Sequence, residues 1–491
     1  MWPEPIHACR ILSLRMATFS AVVTTGIYCR PGCAARPLVE NVRTFSLAAA
    51  AEAAGFRACL RCRPYRGAGA ISIDSPEFVC RAVRLIIDGV LDNGNEDNLA
   101  RRVGVSARHL RRIFNERLGV TPDQLARSRR AHFARRLLDD TDLTVTGVAF
   151  ASGFGSLRQF NRDMRQVFRA TPRQLRNLQR RTDRLAADGG LTMRLPFDPP
   201  LDWTAILRFL ADRAVPRVES VQDNVYRRTI SLDGAPGVLE VSAGGADYLL
   251  LRAHLPYWEG LIHVVERIGR VFGIGVDVRD AENHLSADPT IMPLIEAHRG
   301  LRVPGAWGPF EVGVHSVIAE HCGISEAREW MDWLVQRYGQ PVPGLLYGLT
   351  YLFPSAEVLA GIEVPVVASK AGPLERVRAF SKATLENQIP LDGSLGLQGF
   401  VQRMTSIKDV GETAALHLAM RLGDSDAFPG SDPDLGVALR RLYGVRAKSA
   451  TEAWRPWRAL VAMHLLSRGV GHVAVLAGQG GQDEGIWTGR E

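Results

Sequence analysis

The chain has 491 residues, a length that suggests roughly three domains, with 46% hydrophobic and 23% charged residues. That balance suits packed globular domains and excludes a disordered chain. No apolar run reaches membrane-spanning length and the N-terminus lacks a charged-then-apolar secretory pattern, so the expectation is a cytoplasmic protein with no membrane partner. Seven cysteines in so long a chain make no disulfide scaffold, and in a reducing compartment close pairs of them bind metal. The net charge of +8 is unevenly spread: residues 1–76 carry +5 and residues 77–184 carry +10, the latter from 22 Arg and no Lys against 12 acids, which leaves −7 for residues 185–491. The basic block predicts a polyanionic partner, and double-stranded DNA is the natural one; the C-terminal part gets no such help from its bulk charge.

Four cysteines, Cys29, Cys33, Cys59 and Cys62, form a C-x3-C…C-x2-C arrangement. Two short-spaced thiol pairs separated by a small segment can close a tetrahedral sulfur cage around Zn2+. The stretch between them, Thr44–Gly55, is Ala-rich and predicts a helix ended by Gly55. Cys9, Cys80 and Cys322 have no such neighbours and read as packing residues.

The words Thr24-Thr25-Gly26-Ile27-Tyr28-Cys29-Arg30-Pro31-Gly32-Cys33 and Gly55-Phe56-Arg57-Ala58-Cys59-Leu60-Arg61-Cys62-Arg63-Pro64 closely resemble the N-terminal domain of Ada-type DNA alkylation-response proteins. The resemblance spans residues 22–66 and implies that Cys29, first of the quartet, irreversibly accepts a methyl group from a DNA phosphotriester. Zinc-held sulfur is thiolate, the nucleophilic form. Four thiolates on one Zn2+ leave a formal charge of about −2, and methylating one of them removes a unit of charge, which raises affinity for phosphate. One departure stands out: the family has a longer strand before Thr24, and Met16–Ser20 is shortened here.

Residues 77–180 contain a repeat of period fifty. Ser106-x-Arg108-His109-Leu110-x-Arg112 recurs as Ser156-x-Arg158-Gln159-Phe160-x-Arg162, and Thr121-Pro122-x-Gln124-Leu125 recurs as Thr171-Pro172-x-Gln174-Leu175. Each Ser can cap a helix, with Gly104 or Gly153 ahead of it at a tight turn. Leu110, Ile113 and Phe114, like Phe160, Met164 and Phe168, fit one buried helical face with Arg on the other. The pattern suits two helix-turn-helix units entering adjacent major grooves, with Arg108, Arg111, Arg112, Arg158 and Arg162 contacting phosphates or guanine edges. The block resembles the AraC-type DNA-binding domain, notably in Val148–Ser156 and Phe160-Asn161-Arg162. Ada-type regulators carry the same pair of domains, which implies a transcriptional activator acting at promoters, with RNA polymerase as a further partner.

Polar residues from Arg180 to Gly190 read as a linker. Strands are expected at Thr192–Leu195, Tyr226–Leu232, Gly237–Val241 and Tyr248–Ala253, with helices at Leu201–Ala214 and Tyr257–Val271. The words Leu195-Pro196-Phe197, Pro200-Leu201-Asp202-Trp203 and Tyr226-Arg227-Arg228-Thr229 resemble the N-terminal domain of AlkA-type 3-methyladenine DNA glycosylases. Beyond residue 300 the chain reads as helices in short succession. Gly300–Glu311, Asp426–Asp432 and Trp454-Arg455-Pro456-Trp457-Arg458 resemble the AlkA-type catalytic domain, a helix-hairpin-helix fold.

That resemblance implies a flipped-out alkylated base and an aspartate that stabilises positive charge developing on the sugar. Spacing from Phe428-Pro429 makes it Asp432; Asp434, directly before Leu435-Gly436, is the rival, and either could be a helix N-cap. The hairpin, usually Pro-Gly-Val-Gly-Pro-Trp-Thr-Ala, is Lys408-Asp409-Val410-Gly411-Glu412-Thr413-Ala414 here. Gly411 keeps one backbone phosphate contact, Asp409 replaces a turn glycine, Glu412 adds negative charge, and the aromatic is gone. Leu466 stands where the family often has Trp, and Glu320-His321-Cys322-Gly323 replaces Gln-Gln-Val-Ser. No Pro-Cys-His-Arg word is present, so a guanine-O6 methyltransferase module is not expected.

The expectation is a multidomain, mainly α protein: residues 1–70 a zinc-binding methyl-acceptor domain, 77–180 a duplicated helix-turn-helix, 191–298 a small α+β domain and 299–470 a helix-hairpin-helix glycosylase-like domain. The predicted activity combines single-turnover methyl transfer to Cys29, regulation through DNA binding, and release of bases such as 3-methyladenine. The alternative is a regulator whose glycosylase domain is degenerate and inactive.

Overall fold

The computed structural model describes residues 10–11, 19–66 apart from 32 and 36, 73–74, 77–178 apart from 93, residue 185, 190–364, and 368–467 apart from 394. After β1 (Arg10–Ile11), strands β2 (Phe19–Val22), β3 (Ile27–Cys29), β4 (Val42–Phe45) and β5 (Arg57–Ala58) form a sheet of order β4-β2-β3-β5. β6 (Ile73–Asp74) returns to pair with β1. The shortened segment before Thr24 still supplies a strand behind the first cysteine, since Ser20 pairs with Cys29 across β2 and β3. The helix expected over 44–55 is confined to α1 (Ala48–Ala53). The β-branched and aromatic residues of Val42–Phe45 pair with β2 instead, and tertiary pairing outweighs the helical neighbourhood.

Seven helices follow: α2 (Glu77–Ile87), α3 (Glu96–Arg102), α4 (Ala107–Leu118), α5 (Pro122–Asp140), α6 (Val145–Ala151), α7 (Leu157–Phe168) and α8 (Pro172–Asn177). The α3–α4 and α6–α7 pairs are the two repeat units; Leu110, Phe114, Phe160, Met164 and Phe168 are buried as the periodicity required, while Ile113 is only partly buried at the edge of the core. α5 runs between them and touches both flanking domains. His132 and Glu52 of α1 bond at 2.6 Å, Tyr65 donates to Asp139, and Arg129 pairs with Glu266 far along the chain. Asp140 accepts from both Arg66 and Arg194. The expected linker at 180–190 lies almost wholly outside the described residues.

β7 (Leu191–Pro196), β8 (Glu219–Gln222), β9 (Val225–Leu232), β10 (Ala235–Ala243) and β11 (Tyr248–His254) make an antiparallel sheet of order β7-β11-β10-β9-β8. α9 (Trp203–Asp212) and α10 (Leu261–Val271) accompany it. β8 lacks the apolar alternation that marked the other four strands.

The rest is mainly helical: α11 (Arg279–Leu285), α12 (Met292–Ala297), α13 (Pro309–Tyr338), α14 (Ala356–Ala360), α15 (Ala368–Leu385), α16 (Leu397–Thr405), α17 (Glu412–Arg421), α18 (Pro433–Tyr443), α19 (Ala447–Ala453) and α20 (Arg458–Leu466), with one short antiparallel pair, β12 (Gln340–Pro341) and β13 (Tyr351–Leu352), between α13 and α14. α13 is broken at Gly323, whose φ of 82° and ψ of 170° no helix accommodates. The α+β sheet is clamped to this bundle by Arg228 of β9, which donates to both Glu311 oxygens of α13 at 3.1 and 2.9 Å. No helix among the described residues is long and apolar enough to cross a membrane.

Candidate functional site

The sulfur atoms of Cys29, Cys33, Cys59 and Cys62 all lie within 4.8 Å of one another. Tetrahedral zinc with Zn–S bonds of about 2.3 Å needs sulfurs somewhat under 4 Å apart, so the quartet closes on such an ion with small side-chain adjustment. Strand register brings the pairs together: Cys29 ends β3, and the Cys59 amide donates to the Tyr28 carbonyl at 2.9 Å just beyond the parallel β5. Cys29 is buried and the other three are partly exposed. Burial, then the neighbouring Cys59 and Cys62, push the Cys29 thiol well above its usual value. Burial likewise pushes Cys62 up to about 11. Burial also opposes ionisation of Cys59, but the Cys62 and Arg61 amides aimed at its sulfur prevail and bring it below the usual thiol value. Without a cation to hold them the sulfurs cannot all be thiolate, which is the condition a divalent ion satisfies. Behind Cys29, the buried Tyr28 donates to Glu52 at 2.6 Å and meets His132 of α5 at 3.2 Å.

On α4 and α7 the cap residues act as the repeat predicted. Ser106 accepts from the His109 amide and Ser156 from the Gln159 amide, each at 3.2 Å. Thr121 and Thr171 form capping boxes with Gln124 and Gln174. Gly104 and Gly153 adopt φ of 79° and 77° in the turns. Arg108 and Arg158 are exposed and make no hydrogen bond or salt bridge among the described residues. Arg111 is paired with Glu96, Arg112 with Glu116 at 2.7 Å and Arg162 with Asp163 at 3.0 Å. All three guanidinium groups remain more than half exposed; the Arg112–Glu116 pair is a weak surface pair that a phosphate can replace, whereas Glu96 and Asp163 are largely buried.

A cavity of about 520 Å³ opens between the sheet domain and the helical domain, lined by Phe209 and Arg213 at the end of α9, Trp307, His315, His417 and Asp432 among others. Asp432 caps α18, its Oδ1 accepting from the Asp434 and Leu435 amides at 3.0 and 3.1 Å, and its Oδ2 lies 2.9 Å from His417 Nε2. Burial raises its pKa, but the His417 and helix-amide hydrogen bonds outweigh burial and hold the carboxyl below its ordinary range. Asp434 lies exposed at the rim, where a neighbouring cleft of about 730 Å³ begins. Leu466 lines that cleft rather than the cavity. The hairpin turn is kept, Asp409 adopting the φ of 63° that the missing glycine would take. Gly411 is differently engaged. Its amide donates to Glu320 at 2.8 Å and the Ala414 amide does so at 3.1 Å, so a carboxylate of α13 covers the N-terminus of α17.

Residues 14–65 match the metal binding domain of Ada, 99–178 a helix-turn-helix domain and 192–308 the AlkA N-terminal domain. Over 91% of its length the chain is 35% identical to a Mycobacterium tuberculosis (strain H37Rv) protein named "Probable bifunctional transcriptional activator/DNA repair enzyme AlkA", covering 91% of that protein. The chain belongs to this AlkA family. Over 55% of its length it is 25% identical to DNA-3-methyladenine glycosylase 2 of Escherichia coli, covering 95% of that enzyme. Over 32% it is 35% identical to the bifunctional transcriptional activator/DNA repair enzyme Ada of the same organism, covering 43%.

This AlkA homologue therefore joins a zinc-binding Ada-type domain, a DNA-binding helix-turn-helix domain and glycosylase-related domains. The structure brings the four predicted cysteines together, and both Asp432, which is buried, and its rival Asp434, which is exposed, line the cavity. Phe209, Arg213, His315, His417 and Arg421 also line that cavity and were not anticipated. Phe209 and Arg213 come from a helix some 220 positions before Asp432, a separation that no local spacing rule spans.

Proposed function

We propose that this chain records alkylation of DNA phosphate on Cys29, uses the duplicated helix-turn-helix to regulate transcription, and excises damaged bases in the cavity at Asp432. The observation that carries the first part is the convergence of four sulfurs on one centre at the end of β3. Zinc bound by Cys29, Cys33, Cys59 and Cys62 would keep these sulfurs ionised at neutral pH. Cys29 Sγ then attacks the methyl carbon of a phosphotriester; the S–C bond forms, the C–O bond breaks, and its electron pair stays on the phosphate oxygen. Arg30 and Arg61, both exposed beside the quartet, are placed to hold the flanking phosphates. The lost thiolate charge weakens repulsion of the backbone, which ties damage to tighter DNA binding. Peptide mass spectrometry after incubation with methylphosphotriester DNA should find a methyl adduct on Cys29; an unmodified Cys29 peptide would reject the assignment.

DNA reading falls to Arg108, Arg111 and Arg112 on α4 and Arg158 and Arg162 on α7, acting at promoter sequences in the cytoplasm, with RNA polymerase the contact an activator requires. For excision, the Asp432 carboxylate lies where it can stabilise positive charge on the deoxyribose as the glycosidic bond lengthens. A regulator with an inactive glycosylase domain is the second reading. It is favoured by the Glu320 carboxylate, which consumes two amides of the α17 N-terminus that a DNA phosphate would otherwise use. Glu320→Gln distinguishes the two: if the hairpin is merely masked, the variant binds abasic-site duplex several-fold more tightly, whereas unchanged affinity supports the inactive reading.

A further inference from the structure

A cavity that stacks cationic alkylated bases needs free aromatic faces, because the ring quadrupole attracts the cation. Two of the rings that line it are already engaged. Phe209 carries the guanidinium of Arg213 at 4.0 Å from its centroid and that of Arg421 at 5.3 Å. Trp307 carries Arg228 at 5.1 Å and Arg267 at 5.9 Å. Arg228 is neutralised by Glu311 and Glu219. Arg213 makes no hydrogen bond or salt bridge among the described residues, and Arg421 donates only to the Gly305 carbonyl. His315 also lines the cavity with an unpartnered Nε2, and burial together with Arg213, Arg421 and His417 pushes its pKa down to about 3, so it adds no charge but offers a neutral hydrogen-bonding nitrogen. Arg213 thus sits within electrostatic reach of Asp432 and Asp434 without a salt bridge to either, and Arg421 feels Glu219 and Glu311, which Arg228 already holds, while Glu320 is committed to α17.

Resting on the excision reading, we propose that this cavity selects uncharged lesion bases over cationic N-alkylated ones, because Phe209 and Trp307 already carry arginines on their faces and Arg213 lines the cavity with no salt bridge among the described residues. The chemistry follows from where the electrons go. Hydrolysis breaks the C1′–N bond, the bonding pair leaves with the base nitrogen, water oxygen bonds to C1′, and one water proton is released to balance the charge on the base. A cationic base departs neutral and needs no positive partner. An uncharged base departs as an anion until it is protonated, and Arg213 and Arg421 stabilise that anion while Asp432 stabilises the sugar. A base already positive meets repulsion from the same groups.

Full-length protein is given duplexes holding a single hypoxanthine or 1,N6-ethenoadenine, and duplexes holding 7-methylguanine or 3-methyladenine, and each rate of release is divided by the uncatalysed loss of that base. The expected result is a larger acceleration for the uncharged pair. Arg213→Gln should lower release of that pair by about tenfold to a hundredfold and leave or raise release of the cationic pair; Arg213→Lys, which keeps the charge, should restore the preference. A larger acceleration for cationic bases, or an equal fall on both pairs in Arg213→Gln, overturns the proposal and leaves excision standing. No release from any duplex overturns the excision reading, and the selectivity falls with it.

Discussion

Replacing Arg228 by Gln should loosen the joint between the sheet and helical domains of the C-terminal half. Arg228 is 3% exposed, and its guanidinium is shared by both oxygens of Glu311 and by Glu219 at 3.2 Å. Removing one partner of a buried ion pair leaves an uncompensated charge and costs about 3–5 kcal/mol. At about 2 °C per kcal/mol for a unit of this size, the melting midpoint of the C-terminal transition should fall by roughly 6–10 °C. The loss should depend on pH. Burial raises the Glu311 carboxyl above its ordinary value even with Arg228 beside it, and the variant loses that counter-charge. A group whose folded-state pKa is raised contributes stability at low pH that disappears as pH rises through the folded value. The midpoint gap between wild type and variant should therefore be small near pH 4.5 and widen toward pH 8. Differential scanning calorimetry across that range, with Glu311→Gln added to the variant as a rescue, is the assay. A gap worth less than about 1 kcal/mol, a gap flat with pH, or no recovery in the double variant would refute the argument.

Asp432→Asn should abolish most base release, a loss of about a hundredfold to a thousandfold in single-turnover rate, with little change in melting because Asn caps a helix as well as Asp. Arg108→Gln and Arg158→Gln should each weaken operator binding and reduce the salt slope by about 1; an unchanged slope would place these side chains off the backbone. Removing zinc with a chelator should destabilise residues 19–66 by several kcal/mol, of the order typical for structural zinc, read as loss of protease protection around Cys59, and Cys29→Ser should lose methyl uptake while Cys80→Ser keeps it.

The quartet and the duplicated reader were legible because their information is local. Cys29 and Cys33 are four positions apart, Ser106 caps the helix that follows it, and the fifty-residue repeat places the same cap at Ser156. Two strand–helix assignments departed from local signal: Val42–Phe45 joined a sheet that only β2 could offer, and β8 formed by pairing with β9 despite an unpatterned sequence. The cavity was legible only in part. Spacing to Phe428-Pro429 pointed to Asp432 with Asp434 as its rival, and both line the cavity, whereas the His417 partner of Asp432 was hidden because a lone histidine on α17 carries no pattern. The masking of Gly411 by Glu320 joins positions 91 apart, which no local pattern reveals.

Helix α5 holds surfaces of three neighbours at once, with buried Arg135 reaching Asp139 and the Leu175 carbonyl, and Phe133, Leu137 and Leu138 wholly inside. Cutting the polypeptide at its apparent boundaries would strip this rod of its sheath. A reader expressed without the cysteine-bearing segment would expose Asp139 without Tyr65, and one severed before residue 190 would leave Asp140 without Arg194. Modularity along the gene is therefore not modularity in space: the pieces that evolution has joined end to end are wedged around a common spine, and each is expected to behave differently alone than in company.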